Sequence, residues 1–499
     1  MTTTIPGMVD VARGILPVLS VDRESAEPLH RQVYAGFRDA ILRGDLAAGQ
    51  QVPSSRALAA ELGISRFPVL DAYAQLHAEG FFESRVGAGT FVAASLPVAQ
   101  GKAKRSAEKS GARATSRRSR QFPAYRPVPW RHGLGAFGVH QPALDQFPFE
   151  VWSRLTARHS RSPRAHALHH IDPLGLEPFR EAICSYLRAS RAVRCDPSQI
   201  MVVSGSQQAL DITTRVLLDE GDAAWVEEPC YPLVRAILAG AGCRAVPVPV
   251  DEEGLDVAAG KQAAGDARAA FVTPSHHYGL GVTMSASRRF QLLEWARQAG
   301  AWIVEDDYDS EYRYESMPIP SLQGLDGAQR VIYIGTFSKV LFPSLRLGYL
   351  VIPEDLMERF VSVRFAMDIF PSYLYQEVLT DFMRSGHFAR HIRRMRNLYK
   401  ARRTALVESL RAEFGDELEV HGAAAGMHLT VTLPPGCRDT EICTRAAEKH
   451  LWLWPLSPCY ADDKARQGLI LGFANTPEEQ MREAVRHLKG VVRSQVRSQ

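Results

Sequence analysis

The amino-acid sequence predicts an α/β protein of two or three domains, with a small N-terminal unit and a larger C-terminal unit. Two observations support this prediction. A stretch of about 65 residues near the N-terminus has helical periodicity and ends in a hairpin pattern with glycines at its tip. Farther along, short apolar runs each give way to polar residues at their C-terminal side, as in a parallel sheet. The chain has 499 residues, 45% of them hydrophobic, which is enough for more than one core.

Composition excludes several classes of protein. The seven cysteines are odd in number and form no Cys-x-x-Cys pair, which argues against a disulfide framework and a structural zinc site. The N-terminus lacks a basic segment followed by a long apolar core, and no stretch of about 18 residues is predominantly apolar. We therefore expect a soluble, cytoplasmic protein with no metal site.

The first helix is predicted from apolar residues that recur every four positions. Leu29, Val33, Phe37 and Ile41 form this series, and Gly44 marks the expected end of the helix. The pattern indicates an amphipathic helix that buries one face.

Two further helices and a hairpin follow. Residues 53–63 are typical of a short helix and a glycine turn, and Ser65 is the predicted N-cap of the next helix, with Pro68 in its first turn. The apolar face of that helix consists of Val69, Ala72, Tyr73 and Leu76. Residues 81–92 then form a predicted hairpin. Helix, helix-turn-helix and hairpin together make a winged helix-turn-helix.

The winged unit, residues 26–94, resembles the DNA-binding domain of the GntR family. The matching segments are residues 53–56, 58–59, 62–66, 78–80 and 87–92. The resemblance implies that the following residues face double-stranded operator DNA: Arg56, Ser65, Arg66, Phe67, Arg85, Gly87 and Gly89. Where the family usually has two small polar residues, this chain has Phe67 and Pro68. Either the DNA contacts at these two positions differ from those of the family, or Phe67 and Pro68 pack against the rest of the domain and do not contact DNA.

A basic segment separates the two units. Residues 93–126 hold nine Lys and Arg side chains against one acidic side chain, which is an excess of eight positive charges. Without periodic apolar residues, residues 95–128 are predicted to be a flexible linker. It serves either as a spacer or as a sequence-independent attraction for DNA phosphates. Its basic residues include Lys102, Lys104, Arg105, Lys109, Arg113, Arg117, Arg118 and Arg120.

The larger unit is organised around Lys339. An apolar run, residues 331–334, is typical of a buried strand and leads to this lysine in otherwise apolar company. Burial lowers a lysine pKa and makes the amine a nucleophile toward an aldehyde, which gives a Schiff base. Thr336, Ser338 and Arg346 could bind one dianion, so a phosphorylated aldehyde is the expected ligand.

Other strand ends should converge on the same site. Gly205 and Ser206 lie just before a predicted helix, Gln208–Leu218, whose N–H groups either favour a phosphate or form an ordinary helix cap. Asp306 could keep a pyridine nitrogen protonated, which makes the ring an electron sink. The apolar runs that end near these residues are 201–203, 224–226, 271–272 and 302–304.

These motifs, in this order, resemble those of fold-type I enzymes that use pyridoxal 5'-phosphate (PLP), in the aminotransferase class. The resemblance covers residues 129–499 and implies a PLP-binding domain with a small C-terminal α+β subdomain. It implies that Lys339 forms the Schiff base, Asp306 pairs with the pyridine nitrogen, Tyr308 contacts the phenolic oxygen and Tyr231 stacks on the ring. The implied phosphate ligands are Gly205, Ser206, Thr336, Ser338 and Arg346.

A GntR-like head, a basic linker and an aminotransferase-like body in one chain resemble the MocR subfamily of transcriptional regulators. The resemblance implies a homodimer that binds operator DNA. It also implies that PLP or an amine acts as effector.

Two departures bear on catalysis. Ile470 stands where aminotransferases generally have the arginine that binds the substrate carboxylate, and Tyr278 stands where many have an asparagine. Arg235 and Arg466 could replace the missing arginine. Transamination of ordinary α-amino acids is therefore not expected. The alternatives are an active aminotransferase with an accessory DNA-binding head, or a body that binds no cofactor and only dimerises.

Overall fold

The apolar periodicity of the N-terminal segment produces three helices and a hairpin in the computed structural model. The elements are α1 (Leu29–Arg43), α2 (Ser55–Glu61), α3 (Arg66–Ala78), β1 (Phe82–Arg85) and β2 (Gly89–Val92). As predicted, α1 ends at Gly44, in a left-handed conformation with φ of 77°, and Ser65 is the N-cap of α3. These elements form the predicted winged helix-turn-helix.

The structure describes residues 19–95, 114–131, 133–161, 172–315, 319–461 and 465–496. The chain divides into two units, Met1–Ala114 and Thr115–Gln499. Most of the predicted linker, residues 96–113, lies outside the described residues. Its last part belongs to the second unit, where Arg118 pairs with Glu220 at 3.0 Å and Phe122 packs against Gly240. The domain limits 26–94 and 129–499 stay predictions.

The core of the first unit is formed by the residues predicted from periodicity. Phe37, Tyr73 and Phe82 meet edge to face, with ring centroids 5.1 to 5.6 Å apart. Val33 and Ile41 are also buried, as are the four apolar residues predicted for α3. Strands β1 and β2 pair in antiparallel register from Phe82 opposite Val92 to Arg85 opposite Gly89.

The second unit contains helices on both sides of a large sheet and a smaller sheet near the C-terminus. The helices are α4 (Phe149–Arg161), α5 (Glu177–Arg191), α6 (Ser206–Leu217), α7 (Pro232–Ala241), α8 (Val257–Ala263), α9 (Ala286–Ala299), α10 (Leu322–Leu325), α11 (Met357–Asp368), α12 (Leu374–Arg384), α13 (His387–Phe414), α14 (Asp439–Ala447) and α15 (Glu478–Val496). The strands are β3 (Ile200–Val203), β4 (Ala223–Glu228), β5 (Arg244–Asp251), β6 (Gly254–Leu255), β7 (Ala269–Val272), β8 (Trp302–Asp307), β9 (Val331–Thr336), β10 (Gly348–Val351), β11 (Glu419–His421), β12 (His428–Thr432), β13 (Trp454–Pro455) and β14 (Gly468–Gly472).

The large sheet has the strand order β3-β10-β9-β8-β7-β4-β5-β6. Neighbouring strands from β9 to β5 are parallel, while β10 runs antiparallel to both of its neighbours. The predicted apolar runs are the buried strands β3, β4, β7, β8 and β9. Because the parallel strands share one direction, the polar residues that follow them lie at one edge of the sheet.

The C-terminal subdomain is a four-stranded antiparallel sheet in the order β11-β12-β14-β13, with α14 and α15 packed against it. This arrangement confirms the predicted fold class. No helix in the described part of the chain has the length and apolar character needed to cross a membrane.

Candidate functional site

The end of β8 places Asp306 in a cavity because its two neighbours are fixed on the opposite side of the strand. Glu305 accepts two backbone N–H groups at the start of α10. Asp307 forms a buried ion pair with Arg191 at 2.8 Å and accepts the Tyr333 hydroxyl at 2.6 Å. These contacts hold the strand end rigidly and leave Asp306 available for a ligand.

The Asp306 carboxyl has an unused acceptor. Its Oδ1 atom is buried and has no hydrogen-bond partner among the described residues. Burial, with a smaller contribution from Asp307, raises the pKa of Asp306 to about 7. A protonated ring nitrogen would satisfy this oxygen and favour its ionised form.

Lys339 enters the same cavity just beyond β9. Burial lowers the pKa of its amine to about 8, although the nearby carboxylates of Asp309 and Asp306 act in the opposite direction. A large share of the amine is therefore neutral near pH 8. This is the state that can attack an aldehyde carbon.

The cavity has a volume of about 310 Å³. Of the residues predicted from the sequence, it brings together Ser206, Tyr231, Asp306, Tyr308 and Lys339. It is also lined by residues that belong to none of the sequence motifs assigned a role in binding PLP: Arg131, His140, Gln141, Thr273, Tyr278 and Trp454.

The other predicted phosphate ligands lie where β9, β10 and the start of α6 meet. Gly348 of β10 pairs with Thr336 on one side and with Val203 on the other. This register brings the end of β9 next to Gly205, where an added Cβ would lie 3.2 Å from Arg346 Nη2. Gly205 also has φ of 107°, which favours glycine.

Ser338 adds an unused hydroxyl to this region. Its backbone N–H donates to Thr336 Oγ1 at 3.2 Å, whereas its own Oγ is buried and has no partner in the described structure. Together with the exposed guanidinium of Arg346 and the N-terminus of α6, this hydroxyl suits a phosphate. The buried oxygens of Ser338 and Asp306, which have no partner among the described residues, are of the kind that a phosphate and a protonated pyridine nitrogen would satisfy.

Aromatic and histidine side chains form the rest of the wall. Tyr308 lies with its hydroxyl 3.2 Å from His276 Nδ1, which also contacts the Asp309 carboxylate at 3.2 Å. Tyr278 stacks on His140, with ring centroids 5.4 Å apart. Burial holds the pKa of His140 well below its ordinary value, so this imidazole is neutral.

One histidine cluster could hold a metal. His276, Asp309 and His428 each place a donor atom so that all three atoms lie within 4.8 Å of one another. Their nitrogen and oxygen donors suit a transition metal. The expectation of no metal site stays a prediction.

The position expected for a carboxylate-binding arginine is apolar. Ile470 lies on β14 opposite Trp454 and is 1% exposed. The two suggested replacements do not line the cavity: Arg235 donates to backbone carbonyls of residues 458–460, and Arg466 is exposed. Arg131 does line it, with its guanidinium carbon 5.8 Å from the Trp454 ring centroid. Sequence reasoning missed Arg131 because it lies far from every strand-end motif.

All the predicted DNA-facing residues are exposed on the first unit. Arg66 donates to Ser55 Oγ at 3.1 Å, which ties the start of α3 to α2. Arg85 lies on the hairpin, paired with Glu83 at 2.7 Å. Phe67 is 77% exposed, so this corner of α3 does not pack into the core. The assignment of these residues to DNA stays a prediction.

Comparison with known proteins matches each of the two units to a protein family. The family model for aminotransferase class I and II matches residues 137–488, and that for the gntR family of bacterial regulatory proteins matches residues 29–92. The chain is 41% identical to the probable rhizopine catabolism regulatory protein MocR of Rhizobium meliloti, over 95% of each chain. It is 30% identical to the HTH-type pyridoxine biosynthesis transcriptional regulator PdxR of Corynebacterium glutamicum, over 92% of this chain and 95% of that one.

The solved structure of the alpha-aminoadipate aminotransferase LysN from Thermus thermophilus, complexed with N-(5'-phosphopyridoxyl)-L-leucine, matches with a TM-score of 0.71 and 26% identity. That match covers 77% of this chain and 98% of LysN.

Proposed function

The chain belongs to the MocR subfamily of GntR-type transcriptional regulators, and on this premise we propose that its aminotransferase-like unit binds PLP through Lys339. The GntR-type unit and the aminotransferase-like unit together identify a transcriptional regulator. Members of the aminotransferase class I and II family use PLP. In this chain the cofactor would set how the regulator binds operator DNA.

The single observation that carries the proposal is the meeting of Lys339 and Asp306 in one cavity. Lys339 supplies an amine with a lowered pKa, and Asp306 supplies a buried carboxyl oxygen with no partner in the described structure. The unused Ser338 hydroxyl and the guanidinium of Arg346 would hold the phosphate. Tyr308 and Tyr231 would orient the ring from its edge and its face. When bound, PLP supplies an electrophilic carbon for an incoming amine.

The regulator would sense PLP itself or an amine that reaches the cofactor. Ile470 supports sensing over turnover, because an isoleucine cannot hold a carboxylate in the position that aminotransferases use. We propose that the functional form is a homodimer, in which two winged units contact two half-sites of the operator.

The test is a footprint of the purified protein on the DNA that flanks its own gene, with and without PLP. We expect protection of a defined site, and a change in its extent or affinity when PLP is added. Lys339→Ala should keep the footprint but lose the response to PLP. A protein that protects no site under either condition would contradict the proposal.

An active aminotransferase with an accessory DNA-binding unit is the second candidate. The presence of Lys339 and Asp306 together favours it, since transamination uses a lysine that forms the Schiff base and a carboxylate at the pyridine nitrogen. Steady conversion of an amino donor and a keto acceptor by the purified protein would establish this function.

A further inference from the structure

We propose that Arg131 binds the carboxylate of an effector, so that the effector is an amine that also carries a carboxylate. This inference rests on the proposed function, because it places the effector amine at the PLP that Lys339 would hold. It names the chemical class of the effector, which the catalytic motifs leave open.

The structure holds Arg131 firmly at the cavity wall. The residue ends a short 3-10 helix, Pro129–Arg131, whose Trp130 carbonyl accepts the indole N–H of Trp454 at 3.1 Å. The guanidinium carbon lies 5.8 Å from the centre of that same Trp454 ring. Trp454 thus fixes both the backbone and the side chain of this segment.

Arg131 has no acidic partner in the part of the chain that the structure describes. Among the described residues it forms no ion pair, whereas Arg180, Arg191, Arg288 and Arg384 each pair with a carboxylate. Arg131 is an exposed residue that also lines the cavity, and a guanidinium in that position without a counter-ion among the described residues favours an anionic ligand.

The other basic side chains in or near the cavity do not compete with Arg131 for that anion. His140 is neutral because burial holds its pKa well below the ordinary value. Once joined to the cofactor, Lys339 would no longer be a free ammonium group that could pair with a carboxylate. Arg346 lies beside Gly205, at the end of the cavity proposed for the phosphate. Arg131 is then the cation left for a second anionic group.

The location of Arg131 also explains how it could substitute for the missing arginine. Ile470, at the usual arginine position, pairs in register with Trp454, and Arg131 lies over the Trp454 ring. Arg131, which comes from the N-terminal segment of the second unit, therefore places its guanidinium on the side of the cavity formed by Trp454, next to Ile470. Its planar fork can bind a carboxylate through two parallel hydrogen bonds, which a bare alkylamine cannot offer.

The experiment uses the full-length protein loaded with PLP and follows the visible absorbance of the cofactor while amines are added. The panel pairs α- and ω-amino acids of two to six carbons with the alkylamines that lack the carboxylate. We expect at least one amino acid to shift the absorbance at a concentration roughly tenfold or more below that of its matched amine.

Three variants separate the possible roles of the arginine. Arg131→Gln should abolish the preference for the carboxylated ligand, while Arg131→Lys should keep part of it through its charge. Arg126→Gln, an exposed arginine in the same stretch that does not line the cavity, should leave the preference unchanged. The footprint on operator DNA should respond to the same ligand, and Arg131→Gln should lose that response.

Several outcomes would overturn the inference. Equal binding of amino acids and their matched amines by the wild-type protein would do so. So would an Arg131→Gln variant that binds PLP itself more weakly, because the arginine would then belong to the cofactor site. If the wild-type protein never acquires the cofactor absorbance, the proposed function fails as well. If the wild-type protein binds PLP but shows no preference for carboxylated ligands, only the inference about Arg131 fails and the proposed function is unaffected.

Discussion

Asp306 and Lys339 line one cavity from the ends of neighbouring parallel strands, and each shifts the pKa of the other. The carboxylate of Asp306 raises the pKa of Lys339, and the ammonium of Lys339 lowers the pKa of Asp306. Burial acts more strongly on both groups and in the opposite sense, so each is brought toward neutrality. Without a ligand, the neutral forms of the Lys339 amine and the Asp306 carboxyl group are therefore more populated at neutral pH than they would be in water.

Capture of PLP should depend on pH through Lys339. The neutral amine reacts, and burial lowers its pKa to about 8, so the rate of capture should rise about tenfold per pH unit below pH 8 and level off above it. Stopped-flow absorbance from pH 6 to 9.5 measures this rate. Lys339→Ala should show no covalent capture, whereas the exposed Lys449→Ala should behave as wild type. A rate that keeps rising to pH 9.5 would show that the amine is not desolvated.

Asp306→Asn should weaken PLP binding by roughly ten- to hundredfold, because a charged hydrogen bond to the ring nitrogen is replaced by a neutral one. Equilibrium titration of PLP by fluorescence measures the change. The exposed Asp266→Asn is the matched control. Unchanged affinity in Asp306→Asn would remove Asp306 from the cofactor site.

The same variant should alter the pH dependence of stability in the cofactor-free protein. The pKa of Asp306 rises from 3.8 to about 7 on folding. Its contribution to the free energy of unfolding is therefore full below pH 3.8 and is lost as pH rises through about 7. Asp306→Asn removes this pH-dependent loss of stability, and the Tm of the variant at pH 8 should equal or exceed that of wild type. Thermal unfolding at pH 5 and pH 8 provides the comparison. A Tm that falls equally at both values would point to a packing defect.

Replacing the basic residues from Lys102 to Arg120 with serine should flatten the salt dependence of DNA binding. For every phosphate that the protein no longer neutralises, the slope of log affinity against log salt should become shallower by about 0.9. Binding to operator DNA between 50 and 300 mM salt, measured by fluorescence anisotropy, gives this slope. An unchanged slope would assign the segment to spacing alone.

Phe67 should make operator binding sensitive to a thymine methyl group. Its ring is 77% exposed at the start of α3, and an apolar side chain there can contact the methyl group in the major groove. Replacing the contacted thymine with uracil removes only that methyl and should weaken wild-type binding by about fourfold. Phe67→Ala should bind both DNAs equally. Wild-type protein that is indifferent to every thymine-to-uracil change would show that Phe67 does not read this group.

Much of the fold followed from local patterns. Apolar runs with polar ends identified the strands of the parallel sheet. A strand that is buried on both faces is a continuous apolar run in the sequence, and the polar residues that follow it mark its C-terminal end. The same patterns located Asp306 and Lys339. The start of α6 was predicted at Gln208 but lies at Ser206, since the positive φ of Gly205 lets the chain turn into the helix earlier.

The rest of the cavity could not be found in this way. Arg131, His140 and Trp454 come from segments that tertiary packing alone brings to the strand ends. Their roles depend on contacts such as the ring of Trp454 beneath a guanidinium, which no periodicity encodes. The composition of the basic segment likewise could not reveal that Arg118 pairs with Glu220.

The buried Ile470 also bears on how long a signal lasts. A site that chemically converts its ligand resets itself at the rate of the reaction. In the sensing function proposed above, the ligand is not converted and the site returns to its unliganded state when the ligand dissociates. The lifetime of the liganded regulator would then equal the reciprocal of one dissociation rate constant, and the regulator would follow the ligand concentration on that time scale without consuming the ligand.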